Sequence, residues 1–338
     1  MMKAVYLTKY DKAEDAFEMR EINKPQPGPN DVLIKVECFG LNFADVIARR
    51  GLYPDAPKNP ALLGYDVAGT VEAWGENVSG FNVGDRVAAL TRFGGYAEYA
   101  VTMQEGVAKI PDGFPLDLST ALATQACTAF YCAEDCVTLH KGDNVLIHAA
   151  AGGVGTVLVQ IAKYRGCTVF GTASTGKQDY LKSIGVDHPI DYTKEDFSGR
   201  IKEILGGNKL DVVFDSIGGK TFKNSYKLLQ PGGAMVNFGA ASQLNGGKIA
   251  AIGMALNFGF YSPIQLLMSS KSLNAVNMLR IADYKPRVFK EVFEGVMQLV
   301  DKGVIKPHIA QKFHAEEIAK AHALLESRKS IGKVVVSW

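Results

Sequence analysis

The stretch Val145-Leu146-Ile147-His148-Ala149-Ala150-Ala151-Gly152-Gly153-Val154-Gly155 decides the fold. An apolar run rich in β-formers enters a bend of small residues, and the apolar-periodic segment VGTVLVQIAKYRG leaves it. Strand, tight turn and helix in that order make a variant of the dinucleotide fingerprint. Ala150 takes the first glycine position, and Gly152 and Gly155 take the other two. Small residues let the backbone approach a pyrophosphate, and the helix start offers N–H groups and a partial positive charge. A glycine bend alone would also suit a strand–helix turn that holds nothing. The flanking segments favour the cofactor.

Downstream, CTVFGTAS reads as the next strand and KQDYLKSIG as the next helix, while DVVFDSIGG and GGAMVNFGA are apolar strands ending in small residues. Strands alternating with helices predict βαβ units, a parallel sheet and a doubly wound Rossmann domain. Upstream, AVYL, DVLIKVECFG, VAGTVEAWG, GDRVAAL and YAEYAV are β-rich runs, with PQPGPND and NVSGFNVGD as turns. They predict a small, mostly antiparallel β-domain. Helical character begins near residue 117 in DLSTALATQACTAFYCAEDCV, where Asp117 or Ser119 is placed to cap. Past residue 300, IKPHIAQKF and KVVVSW read as strands around the helix AEEIAKAHALLES, and this tail is expected to rejoin the first domain. The expected organisation is an α/β chain: a β-rich domain from 1–122 with 300–338, and a Rossmann domain over 123–299.

Composition agrees with a soluble two-domain enzyme: 338 residues, 47% hydrophobic and 21% charged. A net charge of +2 gives no basic field for nucleic acid. Five sparse cysteines, Cys38, Cys127, Cys132, Cys136 and Cys167, do not form a disulfide framework. The three near residue 130 lack a CxxC or a neighbouring histidine, so buried small residues on a helix account for them better than a metal. The N-terminal MMKAVYLTKYDKAED carries no apolar signal core, which predicts a cytoplasmic protein. Residues 249–270, IAAIGMALNFGFYSPIQLLMSS, are uncharged and of membrane-spanning length, but Asn257, Pro263, Gln265 and two glycines interrupt them. A helical segment near a substrate mouth or a subunit contact is expected there, with membrane-surface contact as the alternative.

The end of the second strand predicts which cofactor is used. An NAD enzyme usually places Asp or Glu about 20 residues beyond the bend to bind the ribose hydroxyls. Here Ser174-Thr175-Gly176-Lys177 occupy that place, with no carboxylate until Asp179. A small polar cradle with a lysine suits a 2′-phosphate, so NADPH is the expected cofactor. Taken alone, Lys177 would be an ordinary solvated lysine at a helix start.

Gly40-Leu41-Asn42-Phe43-Ala44-Asp45, Arg50-Gly51-Leu52-Tyr53-Pro54, Gly64-Tyr65-Asp66-Val67-Ala68-Gly69, Val83-Gly84-Asp85-Arg86-Val87 and Ala151-Gly152-Gly153-Val154-Gly155 occur in an order that resembles the zinc-independent quinone oxidoreductases of the medium-chain dehydrogenase/reductase superfamily. The resemblance spans nearly the whole chain. His188-Pro189-Ile190-Asp191-Tyr192, Ile305-Lys306-Pro307-His308-Ile309 and the 249–270 segment resemble most the branch of synaptic-vesicle amine-transport protein homologues. The resemblance implies a GroES-like catalytic domain and a Rossmann domain, with cofactor and substrate in the cleft between them. It implies Asn42 near the nicotinamide ribose, Tyr53 lining the active cleft, Thr128 by the nicotinamide and Phe238-Gly239-Ala240 along its side. It also implies Lys177, Tyr192 and Arg328 at the adenosine 2′-phosphate. Without it, Tyr192 reads as a half-buried strand tyrosine and Arg328 as a solvated arginine at a helix end.

Zinc dehydrogenases share this fold, and a catalytic zinc needs three protein ligands. The resemblance puts Asn42 at the first cysteine position and Tyr65 at the histidine of the relatives' Gly-His-Glu, and no lobe of four close cysteines lies between Val87 and Gly106. No zinc is expected. Such a site suits quinones or carbon–carbon double bonds activated by a carbonyl, with Tyr53 and Tyr65 as candidate hydrogen-bond donors to the developing oxyanion. An enone or enoyl-thioester reductase is the close alternative. A protein that binds NADPH without catalysis, or that acts at a membrane surface, is the more distant one. The resemblance also implies a homodimer, paired through the Rossmann edge strand near Ser272–Met278, where the sequence itself shows only an apolar run.

Overall fold

The computed structural model describes residues 1–241 and 257–338. The chain divides into two units. One comprises Met1–Cys127, Met278–Gly303 and Pro307–Trp338; the other comprises Thr128–Asn277 with Val304–Lys306.

The first unit is organised by one long strand, Asp31–Leu41, in which Lys35 and Glu37 are exposed while Val32, Ile34, Val36, Phe39 and Leu41 enter the core. One edge of this strand pairs antiparallel with Asp66–Trp74 along most of its length. Its other edge pairs first with Tyr99–Met103 and then with Lys333–Ser337. Register slips at Leu33/Ile34 and Val36/Cys38 bend the strand. Beside the second slip a Cβ on Gly69 would lie 1.9 Å from the Lys35 carbonyl oxygen, so only glycine fits. The seven-stranded sheet runs Ile309–His314, Lys333–Ser337, Asp31–Leu41, Asp66–Trp74, Arg86–Leu90 and Val107–Lys109, with Tyr99–Met103 as the seventh strand. A three-stranded sheet orders Phe17–Ile22, Met2–Leu7 and Ala61–Leu62.

The helices Met278–Tyr284 and Pro286–Asp301 also belong to the first unit, whereas the sequence placed everything up to 299 in the second. Phe289, Val292, Phe293 and Val296 form the buried face of Pro286–Asp301, which packs on Gln104–Gly106, Val107–Lys109 and Leu122–Ala126. The capping expectation near residue 117 also needs correction. The short helix Leu116–Ser119 starts one residue before Asp117, with Pro115 at its N-cap. Asp117 sits inside the first turn, accepts from the Leu118 N–H at 2.8 Å and pairs with Lys312; Ser119 Oγ donates to the Leu116 carbonyl.

The second unit is a six-stranded parallel sheet ordered His188–Asp191, Thr168–Ala173, Asn144–Ile147, Leu210–Asp215, Leu229–Asn237 and Ser272–Ala275. Numbered by chain position that order is 3-2-1-4-5-6, the doubly wound arrangement of the Rossmann fold. Leu146, Phe170, Ile190, Val213 and Met235 form its core with the helices Phe197–Leu205 and Lys220–Leu228. Residues 249–256 of the uncharged stretch lie outside the described residues. Its remainder contains the helix Pro263–Ser269, whose Ser262 Oγ accepts from the Gln265 N–H at 3.1 Å. Phe260, Ile264, Leu267 and Met268 are 73–81% exposed. Among the described residues no helix is long and apolar enough to cross a membrane.

Candidate functional site

The predicted site residues fall into two groups, one in each unit. In the second unit the strand Asn144–Ile147 delivers the chain to the bend at the carboxyl end of the sheet. Ala149 adopts φ +50°, and Gly152 N–H closes onto the Ala149 carbonyl at 2.8 Å. The Ala150 N–H bonds to the Thr172 carbonyl, tying the bend to the neighbouring strand. The helix Gly153–Tyr164 follows, with Gly152 at its N-cap. No side chain caps it and no acid stands in its first turn, so the leading N–H groups and the positive end of the dipole are left for an anion. A Cβ on Gly155 would lie 2.3 Å from the Ala149 carbonyl oxygen and one on Gly152 3.1 Å from it. The helix therefore packs directly on the bend, and a side chain at Gly155 has no room. Ala151 is buried, and Gly153 and Val154 are partly exposed at the mouth.

The same sheet end carries Ser174, Gly176 and Lys177, which open and form the turn after the strand Thr168–Ala173. A Cβ on Gly176 would meet nothing within 4 Å, which leaves room beside the turn. Lys177 is partly buried, and burial holds its ammonium below the usual lysine range. Tyr192 is half exposed and its N–H reaches the Ala173 carbonyl at 3.3 Å. The bend, the Ser174–Lys177 turn and Tyr192 therefore share one end of three adjacent strands. The sequence reading missed Asp191, whose carboxylate stands at this end because the parallel register sets it opposite Ala173. Its oxygens accept from Thr175 Oγ1 at 2.5 Å and Thr193 Oγ1 at 2.6 Å, bonds that hold its carboxyl below the usual range. Phe238 and Gly239 follow the strand Leu229–Asn237, where Asn237 Nδ2 donates to the Asp215 and Gly239 carbonyls and fixes their turn. Thr128 is buried on the turn Cys127–Phe130, which has π-helical turns on both sides.

In the first unit Asn42 is the N-cap of the helix Phe43–Arg49, and its backbone N–H donates to Asp45 Oδ2 at 2.7 Å. Its side chain lies in a buried cluster with Asp66 and Lys333. Asn42 Nδ2 donates to Asp66 Oδ2 at 2.5 Å, and Lys333 Nζ donates to Asn42 Oδ1 at 3.0 Å and to Asp66 Oδ2. Asp66 and Lys333 have no exposed surface. Burial raises the Asp45 carboxyl to about 7, against the lowering influence of the Asn42 N–H and the Lys333 charge. The Tyr65 ring is buried edge-on to Tyr53, with centroids 6.4 Å apart, and tilts on Phe93 at 5.0 Å. Tyr65 Oη, Asp66 Oδ1 and Asp45 Oδ1 are buried without a hydrogen-bond partner. Burial pushes the Tyr65 phenol far above its usual range, so the hydroxyl keeps its proton. Arg328 follows the helix Ile318–Glu326, adopts φ +58° and stands 5.9 Å from the Phe43 ring centroid.

The residues at the zinc positions do not fit a metal. Tyr65 offers a protonated phenol in place of an imidazole, and the ammonium of Lys333 already bridges Asn42 and Asp66. Among the described residues no three His, Cys, Asp or Glu side chains group as metal ligands. The cysteines are free; burial raises the Cys38 thiol to about 12 and those of Cys136 and Cys167 to about 11, which makes them inert packing groups.

Comparison with known proteins agrees with this geometry. The sequence matches the alcohol dehydrogenase GroES-like domain over residues 28–112 and the zinc-binding dehydrogenase family over residues 184–336. It is 35% identical to the synaptic vesicle membrane protein VAT-1 homolog of Homo sapiens over 97% of this chain and 83% of that one. It is 33% identical to a quinone oxidoreductase of Pseudomonas aeruginosa, covering 99% of each. The crystal structure of Escherichia coli quinone oxidoreductase complexed with NADPH superposes with a TM-score of 0.86 at 28% identity, covering 99% of this chain and 100% of that one. With a β-rich unit of GroES type, a Rossmann unit and these relatives along its whole length, the chain belongs to the quinone oxidoreductase-like family of the medium-chain dehydrogenase/reductase superfamily.

Proposed function

We propose that the protein is an NADPH-dependent, zinc-independent oxidoreductase that transfers hydride to quinones or α,β-unsaturated carbonyl compounds. The observation that carries this is the uncapped, acid-free start of the helix Gly153–Tyr164, packed by Gly155 against the Ala149 carbonyl. The NADPH-bound relative from Escherichia coli supports it. In this assignment the Gly152–Gly155 backbone holds the pyrophosphate. Ser174, Gly176, Lys177, Tyr192 and Arg328 hold the 2′-phosphate. Asp191 has its two oxygens engaged by the Thr175 and Thr193 hydroxyls, which ties its carboxylate to the surrounding turns. Asn42, Thr128, Phe238 and Gly239 orient the nicotinamide. When bound, NADPH supplies the hydride; the protein supplies alignment and a dry surface. Tyr65 and Tyr53 donate hydrogen bonds to the oxygen that gains charge, and solvent returns the proton to the product. Tyr65 acts only as a donor, since its phenol stays protonated at neutral pH.

The test is a titration of NADPH and NADH fluorescence with purified protein, followed by NADPH oxidation against a panel of benzoquinones and enals. Saturable NADPH binding and turnover without added zinc support the assignment. Absence of NADPH binding rejects it, and stoichiometric protein-bound zinc required for turnover rejects its zinc-free part. Turnover of enals or enoyl thioesters but not quinones would select the enoyl reductase alternative. The exposed Phe260, Ile264, Leu267 and Met268 favour a second reading, in which the protein holds NADPH without catalysis and docks on a membrane surface. Binding without turnover, together with flotation on liposomes, would choose it. Among the described residues the strand Ser272–Ala275 ends its sheet; that strand and the same apolar helix suit a homodimer, and the free thiols suit the cytosol.

A further inference from the structure

The geometry points to Lys333 as a positioning residue that fixes the side-chain amide of Asn42 in one orientation; this rests on the assignment of Asn42 to the nicotinamide. Lys333 is fully buried at the head of the strand Lys333–Ser337, and its N–H bonds to the His308 carbonyl at 2.8 Å. Its stem crosses Gly40, where a Cβ would lie 2.1 Å from Lys333 Cε and 2.9 Å from Nζ. Glycine at 40 is therefore the condition for the ammonium to reach Asn42 Oδ1 and Asp66 Oδ2. Asn42 Nδ2 closes the ring by donating to the same Asp66 oxygen at 2.5 Å.

An amide held between an ammonium and a carboxylate has one orientation. Its oxygen faces the cation, which has no lone pair to accept with, and its NH2 faces the anion, which has no proton to give. Reversing it would set donor against donor and acceptor against acceptor. One Nδ2–H and one Oδ1 lone pair remain for a ligand, in fixed positions. Stability alone does not explain the arrangement. A buried ion pair is often no better for folding than apolar residues of the same volume, whereas removing one partner is costly. The pair is accounted for by what it does to the amide between its members.

The test pairs two variants with two readouts. Asp66→Asn/Lys333→Met removes both charges together and leaves no buried charge unpaired; Lys333→Gln keeps a donor on a shorter, uncharged arm. In ligand-free wild-type protein the Asn42 side-chain NH2 should show a downfield-shifted, slowly exchanging proton by NMR, and in the double variant that signature should be lost. In steady-state kinetics both variants should raise KM for NADPH roughly five- to tenfold, the size of one neutral hydrogen bond, with kcat within about twofold. Asn42→Ala should add little on the double-variant background. A purely structural pair would instead lower the folded fraction and leave KM of the folded enzyme alone. An unchanged NADPH KM in either variant, or an unshifted Asn42 amide in the wild type, overturns the proposal. The NMR readout needs no cofactor, so failure of the amide argument is separable from failure of NADPH binding.

Discussion

Replacing Asp45 by Asn should change how the first unit responds to pH more than it changes the unit's structure. The Asp45 carboxyl is fully buried and raised from 3.8 to about 7, chiefly by burial and further by the Asp66 charge, against the Asn42 N–H, the Lys333 ammonium and the Tyr96 hydroxyl. Because the folded value lies above the unfolded one, the native state holds this proton more tightly. The group's contribution is complete below about pH 4 and is lost as pH rises to about 7. The interval corresponds to roughly 4 kcal/mol at most, of which about 3 kcal/mol falls between about pH 5 and pH 8. An asparagine keeps an oxygen to accept the Asn42 N–H but has nothing to ionise. Asp45→Asn should therefore gain stability relative to wild type by about 3 kcal/mol as the pH rises through that window. The only two tryptophans, Trp74 and Trp338, both lie in the first unit, so urea unfolding followed by tryptophan fluorescence reports on this unit directly. A difference between the two proteins that stays constant with pH would refute the argument and show that Asp45 is ionised throughout, held by groups not counted above.

Three further outcomes are expected. Gly155→Ala should weaken NADPH binding at least tenfold and cost about 1–3 kcal/mol of stability, because the new methyl must push the helix from the Ala149 carbonyl; Gly176→Ala, with open space around its Cβ, should leave stability unchanged. Lys177→Met should weaken NADPH roughly 10- to 100-fold, as loss of a charge-assisted contact predicts, and leave NADH untouched; equal losses for both nucleotides in fluorescence titration would remove Lys177 from the phosphate site. Leu267→Lys/Met268→Lys should convert a dimer to folded monomers by sedimentation, since both side chains are exposed in the single chain; an unchanged sedimentation coefficient would move any subunit contact elsewhere.

The parts of the fold that can be read along the chain are those whose cause is local. Val145–Ile147 is apolar because both faces of its strand are covered, and the small residues after it are forced by the close approach of Gly155 to Ala149. Both signals sit within a dozen residues. The features that escaped depend on partners far along the chain. Lys333 opens VVVSW and looks like a solvated strand start; its burial needs Gly40 to clear its stem and Asp66 to meet its charge, and each comes from a different strand. Asp191 reaches the cofactor end only through the register that pairs it with Ala173. The helix Pro286–Asp301 has a plainly amphipathic sequence, but nothing local says that its apolar face belongs to Gln104–Lys109. Near residue 117 the helix Leu116–Ser119 starts from Pro115, not from Asp117 or Ser119.

The place of the strand Lys333–Ser337, between Ile309–His314 and Asp31–Leu41, bears on how the chain emerges from the ribosome. Residues 128–277 form most of one unit as an unbroken run and can collapse once they have been synthesised. The other unit has to wait: its N-terminal strands cannot acquire their final neighbour until residue 337 has been translated. Throughout that delay the second half of Asp31–Leu41 offers a bare edge, which makes the nascent β-unit the stage most exposed to mispairing and the natural client of a holding chaperone.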